Sequence, residues 1–193
     1  MIGGWTAAAA LQDHFDPVLE TISALAAAPS AAPWVMTTGL AVTGICHCVT
    51  AAGLRSARPV GRGALALSGI ATAAVAALPV DTSPQAHAVA AAVAFAGLTA
   101  WPALASRPGV HLALDRRTGL LATTGLTLLL GWFVLELQQV TPGLGAATGL
   151  SERALAGAQS LWPLAVVLLL RTRRAGHRAP DASDQAREHA VKG

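Results

Sequence analysis

The chain has 193 residues, 53% hydrophobic and 12% charged, with a mean hydropathy of +0.53 and a pI near 9.7. A soluble domain carries about twice that charge, so a soluble globular fold is excluded, and the length suits one domain. The basic balance does not point to nucleic acid, because the basic residues sit at the ends of apolar runs with no contiguous basic surface among aromatics.

The first apolar stretch, 1–12, ends at Asp13-His14-Phe15-Asp16. Twelve residues make about 18 Å of helix, against a hydrocarbon core of about 30 Å. No basic region precedes it, which argues against a signal peptide. The expectation is the outer half of a first transmembrane helix truncated at its N-terminus, with the inner half lost to a late-assigned start codon; apolar in-frame sequence upstream of Met1 would support it.

Residues 16–25 then read as a short amphipathic helix, with Asp16 as cap, Pro17 at its first position and Val18, Leu19, Ile22 and Leu25 as its apolar stripe, lying across the mouth of the bundle. Five complete apolar spans follow at about 34–54, 64–80, 86–105, 118–140 and 154–170. Ala and Gly fill these runs, which suits helices that pack closely in lipid, within one bundle or between copies in a homo-oligomer. Trp101-Pro102 and Trp162-Pro163 place a proline inside two spans, where kinks are expected. The fold class is therefore all-α, a polytopic transmembrane bundle of six helices over 1–170, followed by a polar tail, 171–193, expected to be disordered.

Charge orients the bundle. Arg55, Arg58, Arg62, Arg107, Arg116, Arg117 and every basic residue of the tail fall on one side when the spans alternate; Arg153 alone falls on the other. The positive-inside rule puts the basic loops and the C-terminus in the cytoplasm of a cell-membrane protein, with membrane lipids as partners.

Acidic residues and histidines gather at the opposite end. Ser151-Glu152-Arg153 opens the last span, where Ser151 is placed to cap the helix and Glu152 to meet its positive dipole end. Arg153 needs either a carboxylate partner, with Glu20, Asp81 and Glu136 as candidates, or a lipid phosphate; the ion pair is the preferred reading. His14, Asp81 and His87 are the candidate ligand set for a metal, zinc by ligand type, and Asp81, His87 and Glu152 the candidate catalytic groups of a hydrolase. Helix capping and interfacial placement explain the same residues without chemistry, and no cofactor is expected on that reading. His47 is expected to hydrogen-bond a neighbouring helix. Cys46 and Cys48, two positions apart, face different directions on a helix and do not form a metal motif.

The order of these motifs resembles the domain of unknown function 998 family. Asp16-Pro17 through Thr21-Ile22-Ser23-Ala24-Leu25-Ala26, Gly44 to His47 leading to Arg55, Leu78-Pro79 with His87 downstream, Gly149-Leu150-Ser151-Glu152-Arg153 and Trp162-Pro163 carry the resemblance, which covers the chain to about Leu170. It looks close to the actinobacterial branch. The resemblance implies a six-helix bacterial membrane protein with a full first helix, so the short start departs from the pattern. It implies no activity, and the pairs Ile22-Ser23 and Glu152-Arg153 are retained. Three functions compete: a non-catalytic lipid- or envelope-associated protein using Glu20, Ser23, Glu136, Glu152 and Arg153 as ligand or ion-pair groups; a metal-dependent hydrolase at the outer face; and a small transporter with Glu136 and Arg153 on its path.

Overall fold

The computed structural model describes residues 1–109 and 111–178, with side chains to Thr172. The described residues form six α-helices and two short 3₁₀ turns: α1 (Ile2–Ala10), α2 (Pro33–Gly53), α3 (Pro59–Ala77), α4 (Pro84–Ala105), α5 (Arg116–Leu137) and α6 (Thr148–Arg178). Helices α2 to α6 are long and apolar enough to cross a membrane. The protein is an all-helical, multi-pass membrane bundle.

Three helices begin with proline in the first turn, at Pro33, Pro59 and Pro84, where the missing N–H has no intrahelical partner to lose. Asp115 caps α5 by accepting the Arg117 N–H at 3.0 Å. Helix α5 stops at Leu137, earlier than 140, where Gln139 turns to a φ of +57°. Helix α3 begins five residues before the apolar run and α6 six residues before it, so Arg62, Glu152 and Arg153 lie within helices rather than in loops. Helix α6 also runs on through 171–178, the part expected to open a disordered tail; the remainder, 179–193, lies outside the described residues. Pro102 and Pro163 sit inside α4 and α6.

Consecutive helices pack side by side, and both α2 and α4 also touch α6, which closes the bundle. Close approach is clearest between α2 and α3: a Cβ added to Gly44 would lie 2.5 Å from the Gly69 carbonyl oxygen, and one added to Gly69 would lie 2.6 Å from the Gly44 carbonyl oxygen. Glycine is required at both, because lipid gives helices no hydrophobic reason to associate and their backbones must come within van der Waals range.

Two buried apolar clusters form the core. One, around Leu65, Leu98, Trp101, Leu114 and Val166, lies toward the arginine-rich end. The other, around Ile22, Leu25, Met36, Leu40, Val75 and Ala156, lies toward the end that carries the first loop, here the loop end.

Candidate functional site

The first loop docks on the start of α6 through its backbone. The Gly149 and Leu150 N–H groups, free in the first turn of a helix, donate to the carbonyls of Leu19 and Val18 at 3.3 and 3.0 Å. Gly149 is the residue this approach demands, because any Cβ there would overlap the Glu20 carbonyl. The expected helix over 16–25 does not form. Asp16 Oδ1 accepts the Val18 and Leu19 N–H groups, and Glu20 Oε1 reaches back to the Asp16 N–H at 2.9 Å, which opens a single turn. The carbonyls of residues 17–20 are then taken by α6 instead of by the next helical turn. A 3₁₀ turn at Ser23–Ala26 follows, with Ile22 and Leu25 buried and Val18 and Leu19 exposed, so the predicted stripe is split.

Arg153 does not form the expected ion pair. Its Nη1 donates to the carbonyls of Pro17, Glu20 and Gly149 at 2.9, 2.7 and 2.9 Å, and its guanidinium lies 5.2 Å from the centre of the Phe15 ring. Carbonyls win because the nearby carboxylates are taken by backbone, Glu20 by the Asp16 N–H and Glu152 by the Ile22 N–H. Ser151 does not cap α6 either; the helix starts at Thr148, and the Ser151 hydroxyl donates to the Thr148 carbonyl at 2.9 Å. Glu152 is buried one turn in, and its Oε2 accepts the Ile22 N–H at 2.5 Å.

The other predicted groups serve the same loops. His87 is buried; its Nδ1 donates to the Leu78 carbonyl at 2.7 Å and its Nε2 lies 2.9 Å from the Ser23 hydroxyl. Asp81 is exposed and accepts the Ala28 N–H at 3.2 Å. His14 is exposed. Among the described residues, no three His, Cys, Asp or Glu side chains come together in a way that would hold a metal ion, so His14, Asp81 and His87 are not assembled into the ligand set that hydrolysis would need. Glu136 is buried and accepts the Trp132 indole N–H at 3.3 Å and the Ala147 N–H at 3.1 Å, fixing the loop before α6.

Beneath the docked loop lies an interior cavity of about 40 Å³, where the two apolar clusters meet. Ile22 and Ser23 of the loop, Glu152 and Gln159 of α6, His47 of α2 and Thr72 of α3 are among the residues that line it. Gln159 donates through Nε2 to the Phe95 carbonyl and the Thr99 hydroxyl, both at 3.0 Å. His47 departs from expectation: instead of bonding a neighbouring helix, its buried Nε2 has no partner. Gln159 and Thr72 escaped the sequence reading. The available signal was spacing, since Gln159 stands seven residues after Glu152 and so on the same face of α6, two turns deeper.

A second, apolar feature faces outward. An open groove of about 580 Å³ runs between α5 and α6, lined by Ala122, Gly125, Leu129 and Trp132 on one side and Ala158 and Trp162 on the other.

The family model described as "Protein of unknown function (DUF998)" matches residues 1–169. No curated protein and no solved structure matches the chain.

Proposed function

The chain belongs to that family, whose description assigns no activity, and we propose that it is a non-catalytic, lipid-binding protein of the cell membrane whose loop end faces outward. The observation that carries this reading is that the ionisable side chains expected to do chemistry hold backbone instead: Arg153, Glu152, His87, Asp81 and Glu136 each bond a main-chain group of a loop or of a helix end. They keep the first loop and the loop before α6 in place. The orientation rests on the arginines of the opposite end, which the cytoplasmic leaflet attracts.

The α5–α6 groove is the seat for the lipid. Its walls are apolar, it is open on the surface of the bundle, and its lining runs from Ala122 to Trp132 along α5, about 15 Å of helix, room for part of an acyl chain. Filling it is a clean test, because a Cβ added to Gly125 meets nothing within 4 Å. Native mass spectrometry of protein released from phospholipid nanodiscs should find lipid retained by the wild type and lost from Gly125→Phe. Equal retention by the two proteins would sink the reading. The hydrolase reading draws no support from these contacts, since both ring nitrogens of His87 are already engaged.

A further inference from the structure

Two polar atoms in the interior cavity have no partner. His47 Nε2 and Gln159 Oε1 are buried and make no hydrogen bond, with the residues 5% and 1% exposed. Buried polar atoms in folded proteins are paired with protein or ordered water, and leaving one dry costs about 1–3 kcal/mol. Both residues line the same cavity as Glu152, which uses Oε2 on Ile22 and makes no hydrogen bond through Oε1 among the described residues. Three polar groups on two helices thus border one partly open space with hydrogen-bonding capacity left over.

The size of the space identifies the guest. A water needs about 10–15 Å³ of room measured this way, so about 40 Å³ takes roughly three. Glu152 lies under the loop, and Gln159 is about 10 Å deeper along the same face of α6, a distance that three hydrogen-bonded waters bridge. Gln159 Oε1 can only accept, whereas an imidazole nitrogen donates or accepts according to its tautomer. Water serves both, and an apolar guest serves neither. At its deep end the cavity meets Leu98, a member of the apolar cluster toward the arginine-rich end.

We propose that this cavity is a hydrated inlet, holding a file of about three water molecules that runs from Glu152 beneath the first loop to Gln159 and His47 inside the bundle. The inlet brings water to the bundle interior. It stands independently of lipid binding in the α5–α6 groove.

Silver ion tests the inlet, because it moves through narrow water files, reacts with thiols and is excluded from hydrocarbon by its charge. In nanodisc-embedded protein carrying Cys46→Ala and Cys48→Ala, single cysteines are placed at Thr72 and Gln159 in the cavity and at Leu161, which is 51% exposed on the outer surface of α6. Silver should block Thr72→Cys or Gln159→Cys about tenfold or more faster than Leu161→Cys, since an ion in hydrocarbon is heavily disfavoured. A second readout needs no substitution in the cavity: in ¹⁵N-histidine-labelled wild type, the His47 ring should show a magnetisation-transfer peak to water. Slow silver reaction at both cavity positions, with no water peak at His47, would overturn the proposal. So would competition of the silver reaction by sodium, which would make the guest a bound cation.

Discussion

At the loop end of α6, Arg153 reaches three carbonyls and Glu152 holds a backbone N–H, while two turns deeper on the same helix Gln159 leaves its oxygen unpaired opposite an unpaired His47. Both regions are polar and both are covered by the bundle, yet one bonds the backbone of its own loop, with Arg153 Nη2 left over, and the other leaves its oxygen and its imidazole Nε2 facing a void. The difference separates two jobs that look alike as residue types. Polar side chains bonded to main-chain groups shape a loop; polar side chains that face a void with capacity to spare define a place for a guest. By that criterion the acidic cluster at the loop end is scaffold, and the cavity beneath it is the place proposed for water.

Substitutions at the two regions should therefore behave differently, and the largest effect belongs to the scaffold. Gly149→Val forces a side chain into the Glu20 carbonyl and should lower stability by about 3 kcal/mol, read from the midpoint of unfolding in mixed detergent micelles. A loss below about 1 kcal/mol would mean that the loop is not docked as described. Arg153→Met takes the guanidinium from the Pro17 and Glu20 carbonyls at a half-buried position and should cost about 2 kcal/mol. Amide exchange over residues 16–26 should rise with it, and unchanged exchange there would break the assignment of Arg153 to the loop. Gln159→Leu removes the bonds to Phe95 and Thr99 and should cost about 1–2 kcal/mol without altering exchange in the first loop; faster loop exchange in this variant would join the two regions into one. Asp81→Asn, at an exposed residue that keeps an acceptor for the Ala28 N–H, should change stability by less than about 0.5 kcal/mol. A large loss there would restore Asp81 as more than a loop contact.

Much of the bundle was legible because lipid imposes simple demands. Apolar runs of sufficient length marked all five long helices, while the prolines that open three of them, Pro33, Pro59 and Pro84, were not read as starts. Boundaries were less legible where a helix continues through charge. Arg62, Glu152 and Arg153 lower the local hydropathy and end the apolar run, but a helical backbone is indifferent to charge when the side chain finds carbonyls or an N–H to bond. The first loop misled for a related reason. Asp16, Pro17 and the spacing of Val18, Leu19, Ile22 and Leu25 are local signals for helix, whereas the carbonyls that would continue it are claimed by Gly149, Leu150 and Arg153, well over a hundred residues away. No local pattern announces such a competitor.

For the site, Glu152 was visible as a carboxylate at the head of the last span and His47 as a histidine inside an apolar run, read as bonding a neighbouring helix. Gln159 and Thr72 were not singled out, because uncharged polar residues are common in membrane helices and nothing in one sequence says which face of a helix points inward. The ion pair for Arg153 failed because formal charge was paired with formal charge, when a guanidinium with several N–H donors is equally served by a cluster of backbone oxygens.

Arg62, near the start of α3, donates through Nε to the Ala51 carbonyl at 2.8 Å and through Nη2 to the Ala52 carbonyl at 3.1 Å. These oxygens belong to the last turn of α2, which the helix itself leaves unbonded. The partner is only ten or eleven residues farther along the chain, so α2 acquires its closing contact as soon as the head of α3 has been synthesised, before α4 exists. The end of α2 is thus closed by its own hairpin, and a ribosome feeding this chain into a membrane would hand over that end already satisfied, leaving only the Arg58 N–H of the turn to await the Ala105 carbonyl of α4.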